Sequence, residues 1–210
     1  ARRAGKPSSE MNEYDRVDMS GVTDWEPISH VPGHTDSSFG GVFDGQGHVI
    51  SNFTVQGDGG FAFFATLQGP ATIKNVTFDH ASVSGSVADK GNMVAIVVAY
   101  AYMDATFENI AIKDSMVWAF GKVGAIVGMA ADSQGTTTFR NCKVENTTVK
   151  GAYNCGGLCG LAQNKVVVEN CDADGATFIV GGRYPESAYV DLSTKATCGE
   201  TTIDLCGKFW

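Results

Sequence analysis

Side chains able to do acid–base, metal or redox chemistry fall in four places along this chain. The first is the glycine-flanked segment Phe43-Asp44-Gly45-Gln46-Gly47-His48. A calcium loop there would need six to eight oxygens, and Asp44 and Gln46 are too few. A phosphate cradle would need a following Lys-Ser/Thr and a helix start. The segment has what a turn requires, Asp and Gly tolerant of positive φ. The second place is His30 and His34, an i, i+4 pair whose intervening Pro32 and Gly33 exclude the helix that a zinc pair would need. The third is a set of charged residues, Asp79, Lys113, Glu145 and Asp174, spaced about one repeat apart. Glycoside hydrolysis would want two carboxylates facing each other across a groove. A column interrupted by Lys113 reads as a solvated edge. The fourth is the six cysteines. Cys142 and Cys171 hold equivalent repeat positions and read as stacked core thiols, whereas Cys198 and Cys206 could staple a terminal hairpin. No catalytic residue, cofactor or metal ion is expected, and the chain is read as non-enzymatic.

What must position these groups is a repeat. Thr72–Phe78, Thr106–Ile112, Thr138–Val144 and Val167–Ala173 share one pattern centred on Asn75, Asn109, Asn141 and Asn170. The spacings are 34, 32 and 29 residues (109−75, 141−109, 170−141). Two positions before each asparagine stand Ile73, Phe107, Phe139 and Val168; one after come Val76, Ile110, Cys142 and Cys171; three after, Phe78, Ile112, Val144 and Ala173. Met93–Ala99, Val123–Met129 and Cys155–Leu161 superimpose without gaps as a second strand, with Phe61–Leu67 an earlier copy. Ile50, Asn52, Phe53 and Val55 fit the places of Ile73, Asn75, Val76 and Phe78, so Asn52 is expected to start the column.

The apolar alternation has period two and changes phase at the asparagine, as in a strand bending around a corner. Copies stacked at about 4.8 Å would place Asn52, Asn75, Asn109, Asn141 and Asn170 above one another in an inward-facing amide ladder. The expected fold is all-β, a right-handed single-stranded parallel β-helix of about five coils over residues 16–183. Residues 1–15 would be linker or loop, and 184–210 a C-terminal cap or the start of a further module.

Composition narrows the function. A formal charge of −8 argues against a nucleic-acid surface, which needs clustered Lys and Arg. The longest apolar run, Met93–Met103, is about half a membrane span, so no membrane insertion is expected. Tyr100, Tyr102, Trp118 and Phe120 are the candidate ligand-binding residues, because exposed aromatics stack on sugar rings or anchor a protein partner.

Val17–Ile28, Phe39–Val55 and Gly60–Phe78, with their Asp-Met-Ser-Gly, Trp-x-Pro-Ile and Phe-Asp-Gly-x-Gly-His elements, resemble bacterial surface β-helix proteins with GLUG-type repeats, adhesin-like chains common on gut anaerobes. The Gly-Leu-x-Gly element is kept at Gly157-Leu158-Cys159-Gly160 and altered elsewhere. The resemblance implies an extracellular or cell-surface setting. It implies an adhesin-like module that binds a glycan or a host extracellular protein, as a monomer or part of a larger chain. A stalk presenting another domain and a polysaccharide-active enzyme are the alternatives.

Overall fold

The computed structural model describes residues 15–29, 38–57, 61–85, 92–131, 134–151, 154–181 and 189–192. Among these the regular structure is all β, and the strands pair in parallel apart from one antiparallel pair, Ala176–Gly181 with Tyr189–Leu192. The chain forms a β-solenoid of about four turns, close to the five coils expected. Among the described residues no helix is long and apolar enough to cross a membrane.

Each middle coil visits four sheets in turn. The third coil runs Val98–Tyr102, Ala105–Lys113, Met116–Ala119 and Lys122–Gly124. The largest sheet stacks Arg16–Asp18, Val49–Ser51, Ala71–Asp79, Ala105–Lys113, Thr136–Arg140 and Lys165–Glu169, with Val42–Asp44 and Lys143–Glu145 joined to it. In-register pairs such as Phe107 with Ile73 and Phe139 confirm that repeat positions stack directly. The expected apolar columns fill the interior: Ile73, Phe107, Phe139, Val76, Ile110, Cys142, Phe78, Ile112 and Val144 are all buried.

Size is balanced across the coil. Ile73 shares its coil with Phe78, Phe107 with Ile112, and Phe139 with Val144, so a large ring on one limb meets a smaller residue on the other. At the N-terminal end Trp25 covers the stack, lying parallel to Phe63 at 4.7 Å and edge-on to Phe53 at 5.8 Å.

Two expected registers are corrected. Val123 pairs with Val94, and Val127 with Val98, so the Met93–Ala99 copy sits one residue away from the gapless alignment. Ile50 pairs with Phe78, not with the Ile73 column, and Ser51 with Asp79, which puts Asn52 opposite His80. The Asp-Gly-Gln-Gly-His segment lies just ahead of these pairs. Asp44 pairs with Lys74 and Val49 with Thr77, so the four residues 45–48 face the two residues 75–76. The segment is therefore a turn, as expected, but an enlarged one, placed beside Asn75 rather than ahead of it. Gly45 is required there, because a Cβ would lie 2.7 Å from both the Asn75 carbonyl oxygen and the Val76 Cβ.

Candidate functional site

The polar groups singled out in the sequence gather on the outer surface of the largest sheet, at two corners. At the first, Asn75, Asn109, Asn141 and Asn170 take left-handed φ values of 56°, 54°, 51° and 52°. Asparagine tolerates this region because its short polar side chain bonds locally. The conformation turns the side chain outward: Asn109, Asn141 and Asn170 are exposed and Asn75 half-buried. The ladder thus exists but faces solvent, which corrects the expected inward orientation. A left-handed residue breaks the strand's alternation, so the residues on both its sides in the apolar columns, Ile73 and Val76, still point inward.

The ladder has a direction. Asn141 Nδ2 donates to Asn109 Oδ1 at 3.1 Å, Asn109 Nδ2 to Asn75 Oδ1 at 2.8 Å, and Asn75 Nδ2 to Asp44 Oδ1 at 2.9 Å. These three amides all donate toward the N-terminal end, so the residue at that end need only accept. A carboxylate meets this need, and Asp44 closes the column while also accepting the Gln46 backbone N–H at 2.9 Å.

The second corner lies five residues on and was not anticipated. Asn52, His80, Asp114 and Asn146 stack there with φ of 58°, 55°, 47° and 43°. Asn52 belongs to this column, and its Nδ2 donates to Asp18 Oδ1 at 2.8 Å. Asp18 also accepts the Ser20 N–H at 3.0 Å, repeating the arrangement of Asp44. Asn146 Nδ2 donates to Asp114. Asp79, His80 and Asp114 bring donor atoms within 4.8 Å of one another. Each is already engaged: Asp79 with Arg16 at 3.0 Å and His80 Nδ1 at 2.7 Å, Asp114 with Asn146. Their contacts are those of the column itself.

Beside the first ladder runs a column of alternating charge, Asp44, Lys74, Glu108, Arg140 and Glu169, one residue per coil. Lys74 reaches Asp44 at 3.5 Å and Arg140 reaches Glu169 at 2.6 Å. On the other side Asp79, Lys113 and Glu145 share a column as the repeat implied, with Lys113 3.5 Å and Lys143 2.6 Å from Glu145. Exposed pairs of this kind are worth about 0–1 kcal/mol each. They also favour the register, since sliding one strand past the next would separate the opposite charges.

Hydrogen bonding sets the ionisation of the terminal carboxylates. The Asn52 amide, then the Ser20 N–H, holds Asp18 below its ordinary value, and the Asn75 amide, then the Gln46 N–H, does the same for Asp44. Lys143 lowers Glu145. A carboxyl depressed in the folded state stabilises the fold above its unfolded pKa, about 3.9 for Asp, and loses that contribution as pH falls through the lower folded value. Urea midpoints are therefore expected to fall on acidification from pH 6 to pH 3, and to fall less in Asp44→Asn, whose amide oxygen still accepts but no longer titrates.

The aromatic candidates divide between two faces. Tyr100 and Tyr102 stand on the outside of the sheet containing Val98–Tyr102, with ring centroids 6.0 Å apart and Tyr102 36% exposed. Trp118 and Phe120 are half-buried, and Trp118 sits between Ser84 and Lys150 on the sheet containing Met116–Ala119. The strand Lys122–Gly124 separates the two faces along the coil. Among the described residues Cys142, Cys155, Cys159 and Cys171 form no disulfide. The Cys171 sulfur and burial push the Cys142 thiol well above its ordinary value, and burial pushes Cys155 up to about 12, so neither favours the reactive thiolate. Cys198, Cys206, His30 and His34, like most of the expected C-terminal cap, lie outside the described residues.

No family model matches the chain. It is 30% identical over 116 residues to halomucin of Haloquadratum walsbyi, an alignment covering 54% of this chain and 1% of that protein. A solved Bacteroides ovatus structure described as a "putative immunoglobulin A1 protease" superimposes with a TM-score of 0.46 at 22% identity, covering 78% of this chain and 58% of that one. The chain therefore spans a small fraction of the curated relative and somewhat over half of the solved one, and its fold rests on its own strand registers.

Proposed function

We propose that this chain is a non-catalytic spacer module of a long extracellular or cell-surface protein, a rod segment that presents other parts of the chain. The observation that carries the reading is the closure of the corner surface by the chain's own groups. Amides and a carboxylate there satisfy one another from Asp44 through Asn141 in one column, and in the next Lys74 pairs with Asp44 and Arg140 with Glu169. A glycosidase acid needs a raised carboxyl pKa, whereas Asp18, Asp44 and Glu145 are all lowered. The division of the aromatic residues between two faces also favours a spacer over a single binding platform. The match to halomucin, of which this segment would be 1%, supports membership of a long chain, and its name supports the extracellular setting.

A second reading, a carbohydrate- or host-protein-binding module, is favoured by the paired Tyr100 and Tyr102 rings on an outer face. An array of glycans and extracellular-matrix proteins separates the two. The spacer reading predicts that the parent chain and the Tyr100→Ala/Tyr102→Ala double variant give the same background signal. Saturable binding by the parent that disappears in the folded double variant would replace it with the binding reading.

A further inference from the structure

The sequence contains three Asn-x-Thr triplets: Asn52-Phe53-Thr54, Asn75-Val76-Thr77 and Asn146-Thr147-Thr148. This is the acceptor pattern for N-linked glycan. All three asparagines stand at left-handed corners, while the middle residues Phe53, Val76 and Thr147 point into the core. The corner thus presents the amide on the outside of the rod with its backbone held from within.

The three positions differ in the space around the amide. Asn75 is half-buried and occupied on both sides, donating to Asp44 and accepting from Asn109. Asn146 is exposed and donates to Asp114 beneath it. The next coil places Gly175 over Asn146, since Thr147 pairs with Ala176, so no side chain overlies its amide. Asn52 is exposed and donates to Asp18 beneath it. Over it stands His80, whose ring is turned to Asp79. Asn52 and Asn146 share one column three coils apart, about 14 Å at ordinary strand spacing, which leaves room for a glycan at each.

We propose that Asn52 and Asn146 are N-glycan acceptor sites and that the amide ladder withholds Asn75. The donor is a glycan carried on a lipid (pyro)phosphate, and a membrane glycosyltransferase supplies the base. Asn Nδ2 forms a C–N bond to the anomeric carbon as the C–O bond to phosphate breaks. The lipid (pyro)phosphate leaves with the bonding pair, and one amide proton passes to the enzyme's base. The remaining N–H can still donate to Asp18 or Asp114.

The inference rests on the extracellular reading, and its test imposes secretion so that the two fail separately. The chain is secreted from a eukaryotic cell line, and its intact mass is taken before and after peptide-N-glycosidase. Mass loss equal to two glycans is expected, with Thr54→Ala and Thr148→Ala each removing one and Thr77→Ala removing none. Peptide mapping after deglycosylation in heavy-oxygen water reads occupancy on the parent chain, so the result does not depend on a variant folding. Secreted, folded chain without glycan at Asn52 and Asn146, or with glycan at Asn75, overturns the proposal.

Discussion

Phe107→Ala is expected to lower the unfolding free energy by about 3–5 kcal/mol, the cost of emptying a fully buried phenyl site. Phe107 is 0% exposed and lies flat against Phe139 of the next coil, with centroids 5.2 Å apart and planes 16° from parallel. Its other neighbour in the column is Ile73. The cavity would therefore open mid-stack, where in-register strands on both sides limit collapse. Domains of this size have about 5–15 kcal/mol in total, so the variant should be close to unfolded at moderate urea. Arg140→Ala, which breaks the 2.6 Å pair with Glu169 on the surface, should cost no more than about 1 kcal/mol. Urea denaturation with an unchanged slope checks both. A Phe107→Ala loss below about 1 kcal/mol would mean that the interior is not packed as described.

The interior was legible in the sequence because stacking in register makes each column reuse one residue class. Ile73, Phe107, Phe139 and Val168 announced such a column, and so did Val76, Ile110, Cys142 and Cys171. The register of the second strand was less legible, since Met93–Ala99 and Val123–Met129 are near-continuous apolar runs and a one-residue slip fits the same pattern. The strand pairing itself places Val94 beside Val123.

The place of Asn52 was misread for a related reason. Both corners favour residues that tolerate positive φ, so an Ile-x-Asn triplet looks the same at either. The second column escaped notice because His80, Asp114 and Asn146 are different residue types. Their shared signal was available: each lies five residues after a ladder asparagine, and His, Asp and Asn are the side chains enriched at positive φ. The alternating Lys74, Glu108, Arg140 and Glu169 were equally visible, one place before each asparagine. The split of Tyr100 and Tyr102 from Trp118 and Phe120 was not visible, because it depends on how far the coil turns at Lys122–Gly124.

The asparagine corner carries the second large expected effect. Asn109 contributes a left-handed φ of 54°, a donor to Asn75 and an acceptor for Asn141. Alanine removes both hydrogen bonds, worth about 0.5–1.5 kcal/mol each, and adds about 1–2 kcal/mol for a Cβ in the left-handed region. Glycine removes the bonds without the steric penalty, at a smaller entropic cost of about 0.5–1 kcal/mol. Asn109→Ala should then lose about 2–5 kcal/mol and Asn109→Gly about 1.5–4 kcal/mol.

The order of the two variants separates a corner set by backbone conformation from an asparagine that is merely exposed. Surface substitutions without such a role stay within about ±0.5 kcal/mol. The decisive measurement is urea denaturation of parent, Asn109→Gly and Asn109→Ala side by side. The account predicts stability falling in that order, with alanine about 0.5–1 kcal/mol below glycine. Alanine and glycine variants both within about 0.5 kcal/mol of the parent would contradict it.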